Sequence, residues 1–310
     1  MRDGVHWSSI SLVSGNPLRY LHHVHRLAGD LRPDWIGGLS DTWYGILAAR
    51  LGQQLRTNSL IDAYDNYESY IPWLRPLHLA WRSAINNATL VTAAGPGLAR
   101  LLEQYRDGKP TMTVPMAADP TGFEPMDRTG CRQQLGLPEN RKLVGYCGSI
   151  FRNRGIELLF TAINRLKQTR NDLDLVLAGR KGPGITLPAD AIWLEHVADD
   201  MMPAVFNSLD ILAVINKASA FGKFSYPVKL YEAMSCQLPV VASRTPATRW
   251  ILNDNEDLLV EPDDAGQLCD ALQRLLGTAR INYGHQPDWY ENCEILEQAF
   301  DKHDRHREGG

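Results

Sequence analysis

The chain has 310 residues, of which 44% are hydrophobic and 22% charged, and a formal net charge of −4. That length has room for two domains with separate cores, and the charge balance supplies no global basic field, so nucleic acid is not an expected partner. Five widely spaced cysteines, Cys131, Cys147, Cys236, Cys269 and Cys293, suggest neither a disulfide framework nor a zinc site and fit a reducing compartment. No stretch approaches the ~20 apolar residues of a membrane span, and residues 1–14 lack the order of a signal peptide. A cytoplasmic protein is expected, with peripheral attachment at the inner face of the membrane left open.

In chain order, the N-terminal half alternates candidate strands at 10–13, 35–36, 55–61, 90–92 and 111–114 with candidate helices at 18–28, 42–51, 77–88 and 97–103. Residues 116–140, rich in Pro, Gly and Asp, read as the connection between domains. The C-terminal half is clearer. Strands are predicted at 142–147, 173–178, 191–194, 211–215 and 238–242. Helices are predicted at 155–169, 201–209, 228–235 and 264–276, and a last one at 288–302. Strands alternating with helices imply a parallel sheet covered on both faces, with its ligand site at the carboxyl ends of the strands. The predicted domains are 1–118, 119–286 and a C-terminal helix and polar tail, 287–310, packing back on the first.

Two segments carry chemistry. A nucleotide diphosphate needs backbone N–H groups at a helix start and cations close by. Gly148-Ser149-Ile150-Phe151-Arg152-Asn153-Arg154-Gly155 follows a strand and supplies both. Read locally, the same residues also fit a tight turn with two solvated arginines. Phe224-Ser225-Tyr226-Pro227-Val228-Lys229-Leu230-Tyr231-Glu232 places Pro227 near a helix start and Glu232 one turn inside. There the carboxylate could accept from both ribose hydroxyls, or simply suit the helix dipole.

Taken with Leu238-Pro239-Val240-Val241-Ala242-Ser243, Leu258-Leu259-Val260-Glu261-Pro262-Asp263-Asp264 and Trp289, these segments resemble, in order and spacing, the donor half of group 1 (family 4) glycosyltransferases. The resemblance spans about residues 34–300 and is strongest over 148–264. It implies the GT-B fold, α/β with two Rossmann-like domains of parallel sheet covered by helices, and a nucleoside diphosphate sugar as donor. It implies no cofactor and no metal. Arg154 takes the place of the family's diphosphate-binding lysine. Ser149 stands where the family usually has arginine, and Arg152 is the candidate to compensate. Glu232 matches the second glutamate of the family's E-x7-E motif, the ribose ligand, whereas Phe224 replaces the first. Ser225, Tyr226, Pro227, Val228 and Lys229 are similar to a Ser-Pro-Leu-Lys-like run whose amides bind phosphate or sugar, and the base is expected against His196 and Val197.

The N-terminal half is similar to the family in Pro33-Asp34-Trp35-Ile36-Gly37-Gly38, without the usual histidines, and in Asp62-Ala63-Tyr64-Asp65-Asn66-Tyr67-Glu68, where Tyr64 replaces a histidine. Asp65 is the candidate catalytic acid beside Arg154; a helix N-cap is its other reading. The family's first strand and glycine-rich loop are not found before Pro33, so the N-terminal domain is expected to be incomplete by roughly one or two βα units.

Other signals are discounted. Asp172-Leu173-Asp174 sits at the wrong end of a parallel strand for a metal site. His22, His23 and His25 read as a solvated helix face. Residues 179–184 lack the Lys-Ser/Thr of a P-loop. Core and interface packing is the expected role of most of Trp7, Trp35, Trp43, Trp73 and Trp81. The resulting expectation is metal-independent, retaining sugar transfer to a carbohydrate, lipid-linked or protein acceptor, as in polysaccharide biosynthesis. A non-catalytic nucleotide-sugar-binding partner subunit and a nucleotide-sugar epimerase of GT-B fold are the alternatives.

Overall fold

The computed structural model describes residues 5–9, 17–119 and 122–308. The candidate strand at 10–13 lies outside them. The chain divides into two compact units: Met1–Ala63, Pro72–Thr92 and Leu102–Thr111 form the first, and Tyr64–Ile71, Ala93–Leu101 and Met112–Gly310 the second.

The first sheet has the order β1-β2-β3-β4, from β1 (Trp35–Leu39), β2 (Asn58–Ala63), β3 (Leu90–Ala93) and β4 (Met112–Thr113), with β1 and β2 parallel. Helices α1 (Pro17–Leu31), α2 (Thr42–Leu55), α3 (Arg75–Asn87) and α4 (Pro96–Glu103) alternate with these strands. The strand expected at 55–61 starts late. Leu55 ends α2, and Arg56 at φ 54° is the left-handed C-cap that turns the chain into β2. Among the five N-terminal tryptophans, packing holds for Trp81, which is buried against Gly45. Trp7, Trp43 and Trp73 are exposed, which corrects the expectation for them.

The second sheet has six strands in the order β10-β9-β8-β5-β6-β7, and every pairing is parallel. Its strands are β5 (Lys142–Cys147), β6 (Leu173–Ala178), β7 (Ile192–Leu194), β8 (Ile211–Val214), β9 (Val240–Ser243) and β10 (Leu259–Val260). Helices α6 (Ile156–Lys167), α7 (Met202–Ser208), α8 (Val228–Ser235), α9 (Pro246–Ile251) and α10 (Ala265–Leu275) connect them, and α11 (Trp289–Glu308) follows. Strands β5, β6, β8 and β9 are buried almost end to end, as an apolar sheet covered on both faces requires, and the edge strand β7 is half-buried. The chain is α/β with parallel sheets, as expected.

Residues 116–140 are not simply a connection, because they hold helix α5 (Arg128–Leu135). Asp127 caps its start by accepting from the Gly130 amide, and Gly136 at φ 65° ends it. Its inward group is Arg132, buried with Asp210 at 2.8 Å and with the Ser208 carbonyl. Replacing Asp127 with alanine is expected to cost about 1 kcal/mol, read as a lower midpoint in urea at unchanged slope.

Candidate functional site

The order of the second sheet fixes where a ligand can enter. From β5 the chain runs outward to β6 and β7, then returns to lay β8 on the other side of β5. This reversal opens a crevice at the carboxyl ends of β5 and β8, the topological switch point of an open parallel sheet. A cavity of about 230 Å³ sits there, lined by residues 146–149 at the end of β5 and just beyond it, residues 213–216 at the end of β8 and just beyond it, Arg154, and residues 226–229 at the start of α8.

Each wall has a local cause. Gly148 leaves β5 at φ +145°, and Gly179 leaves β6 at φ +130°; a Cβ on Gly179 would stand 2.2 Å from the Gly148 carbonyl oxygen. Two glycines therefore let the two strand ends close on each other, and Tyr146 donates its hydroxyl to the Ser149 carbonyl at 3.0 Å. The chain then makes a 3-10 turn, Arg152–Arg154, and Gly155 at φ 79° admits α6.

That turn sends its two arginines to different places. Arg154 lies over the Phe221 ring at 4.5 Å and donates to Ser225 Oγ at 2.7 Å. Arg152 is largely exposed, pairs with Glu157 at 3.2 Å and donates to the Gly184 carbonyl. It does not line the cavity.

Across the cavity, α8 opens at Pro227 with Val228 and Lys229 in the wall. A helix N-terminus offers unpaired amides and a partial positive charge to an anion. Lys229 Nζ is 3.0 Å from Glu232 Oε2. Glu232 is buried on α8 and is not among the residues lining the cavity. Burial pushes its carboxyl above the usual range, and the Lys229 ammonium partly restrains that shift.

Asp65 lies just beyond the end of β2 and is 7% exposed. It is not a helix cap: Asn66 holds that position before the 3-10 turn Tyr67–Ser69, with no side-chain capping bond. Tyr70 donates to Asp65 Oδ2 at 2.7 Å, while Oδ1 is buried with no hydrogen-bond partner. Burial pushes this carboxyl up to about 6, against the opposing effects of the Tyr70 bond, the Arg154 charge and the Tyr226 backbone. Tyr70 also packs on Phe221, with ring centroids 6.0 Å apart. Asp65, Tyr70, Phe221, Ser225 and Arg154 thus form one connected group.

His196 is exposed and Val197 half-buried in the loop after β7, outside the cavity lining. Three wall or clamp residues are absent from the candidates read in the sequence. Asn216, directly after β8, has a buried Oδ1 without a partner; a polar residue closing an apolar strand was its available signal. Tyr146 and Phe221 had none. Cys147 also lines the wall, but burial pushes its thiol up to about 12, so it offers no thiolate. The discounted aspartates are engaged elsewhere, Asp172 with Arg170 and Asp174 with Arg141. No cluster of three or more metal-ligating side chains occurs among the described residues.

Residues 141–278, which build this sheet and cavity, match the family described as glycosyl transferases group 1. The chain carries a group 1 glycosyltransferase domain. Among curated proteins, it is 28% identical to the D-inositol 3-phosphate glycosyltransferase of Stackebrandtia nassauensis, over 61% of this chain and 46% of that protein. To the protein of the same name from Corynebacterium jeikeium it is 26% identical, over 91% of this chain and 72% of that one. The chain thus spans about half the length of the first of these relatives. Its fold is that of the sucrose-phosphate synthase of Thermosynechococcus elongatus, with a TM-score of 0.76 at 18% identity over 93% of this chain and 78% of that chain. It also matches Anabaena HepE solved in complex with UDP-glucose, with a TM-score of 0.69 at 18% identity over 85% of this chain and 75% of that chain. The group 1 glycosyltransferase domain therefore sits in a GT-B framework.

Proposed function

We propose that this protein transfers a sugar from a nucleoside diphosphate sugar to an acceptor hydroxyl, without a metal and with retention at the anomeric carbon. The observation that carries the reading is the cavity at the β5/β8 switch point, bounded by Arg154, Lys229 and the N-terminus of α8. Leaving of the diphosphate develops negative charge, and preformed cations and amides stabilise that charge without reorganising. Arg154 and Lys229 take the two phosphates, with Ser149 and Ser225 completing the polar wall. Glu232 accepts from the ribose hydroxyls, and the base lies toward Val197 and His196. Asp65 acts on Arg154 electrostatically, holding the guanidinium beside Phe221 and Ser225.

The HepE complex with UDP-glucose makes UDP the first nucleotide to try, and the relatives' D-inositol 3-phosphate the first acceptor. Calorimetric titration of the chain with UDP, GDP and ADP, with and without EDTA, tests the donor half. One nucleotide is expected to bind with equal affinity in both conditions. Loss of binding in EDTA would refute metal independence, and no binding by any nucleotide would leave a partner-subunit role as the better account.

A further inference from the structure

The first unit carries a second and larger cavity, of about 740 Å³, between α1, α2 and α3. Its wall is mostly apolar: Leu21, Trp43, Tyr44, Leu47 and Leu77 contribute, and one cation, Arg50, and one acid, Asp41, stand among them. Around it, large apolar side chains face solvent. Leu18 is 68% exposed, Trp43 54%, and Trp73, next to the lining residue Leu74, 77%. Of the residues of α1 only Ala28 is buried, so the helix lies on the unit with little of its apolar face covered. Scattered apolar residues are ordinary on a surface, but a contiguous set around an open cavity marks an interaction site.

Charge decides among the occupants. Over its whole length α1 carries Arg19, Arg26 and three histidines against one acidic residue, Asp30. Residues 1–118 hold eleven Lys/Arg against nine Asp/Glu, a net of +2, whereas the whole chain is −4. Arg19, His22, His23 and Arg26 form one continuous face with Leu18. A strongly amphipathic helix of this kind, basic on one face and Leu/Tyr-rich on the other, suits a lipid–water interface. A two-fold contact with a second copy would bring this basic face against itself. No described helix is long and apolar enough to cross a membrane, so the contact is a surface one.

We propose that α1 and the aromatic rim of this cavity dock the protein on an anionic lipid surface. Leu18, Leu21, Trp43 and Trp73 enter the headgroup and acyl boundary, and Arg19 and Arg26 meet lipid phosphates. The inference is independent of the donor reading, since it involves no residue of the β5/β8 cavity.

The test is co-sedimentation of the full chain, without nucleotide, with vesicles of phosphatidylcholine alone or with about a third phosphatidylglycerol. Binding to the anionic vesicles is expected to be at least about tenfold tighter and to weaken as salt is raised. Arg19→Glu with Arg26→Glu is expected to abolish the preference, and Trp43→Ser with Trp73→Ser to lower affinity for the anionic vesicles. All four positions are on the surface, and an unchanged thermal melt confirms that each variant folds. Failure to bind either vesicle, equal binding to both, or a stable dimer that Trp43→Ser splits would overturn the proposal.

Discussion

Replacing Arg154 with alanine is expected to weaken binding of the nucleoside diphosphate about 10- to 100-fold and to leave the nucleoside nearly unaffected. The side chain is held in place before any ligand arrives, by Phe221 beneath it and Ser225 beside it. A phosphate meeting it pays little for ordering an arginine. The loss of a charge-assisted hydrogen bond is worth ~1.5–3 kcal/mol, which is the stated range. Glu232→Ala serves as the contrasting variant. Loss of a carboxylate that reads the ribose is expected to weaken both the nucleoside and the nucleoside diphosphate. Calorimetry with the two ligand sizes on the two variants separates the roles. If both variants bind both ligands as tightly as the parent chain, the site has been placed wrongly.

Lys229 makes the Glu232 result sharper. Removal of Glu232 frees Lys229 from its ion pair and leaves one more uncompensated cation for the diphosphate. The diphosphate is therefore expected to lose somewhat less than the nucleoside does. A purely structural role for Glu232 would instead lower stability.

Much of the donor half could be read before the structure. Strands β5 and β6 and helix α8 have the predicted bounds, because each is a mostly apolar run or a regular apolar face ended by a glycine or a turn. Helix α5 escaped because its sequence, Arg-Thr-Gly-Cys-Arg-Gln-Gln-Leu, has no apolar periodicity. Its buried anchor is an arginine paired with Asp210, and no hydrophobic pattern reports an ion pair made 78 residues away. The separation of Arg152 from Arg154 was equally hidden. Both stand at the helix entrance in sequence, and only the 3-10 turn between them decides that one enters the cavity while the other faces Glu157 and Gly184. Asp65 could be picked from its place after a strand, but its setting among Tyr70, Phe221 and Arg154 assembles segments more than eighty residues apart.

That setting has a consequence for stability. Asp65→Asn is expected to remove a pH dependence that the parent chain shows between about pH 4 and pH 6. Burial pushes the carboxyl up to about 6 in the folded protein, from the ordinary aspartate value near 3.8, so over this window the folded state binds more protons than the unfolded one. Stability must then fall as pH rises. The neutral acid is tolerated below about 4, and the full cost of holding a buried carboxylate is reached above about 6. The shift, in which the Arg154 charge is already counted, corresponds to about 3 kcal/mol at most. Urea melts at several pH values measure it: the parent's midpoint should drop across the window relative to the asparagine variant's, and parallel profiles would show that the Asp65 carboxyl is not raised. Because Arg154 is the cation facing Asp65, a bound diphosphate that draws Arg154 away should extend the parent's fall to higher pH. The difference between the parent and Asp65→Asn profiles, with and without nucleotide, then reports whether the two groups act as one unit.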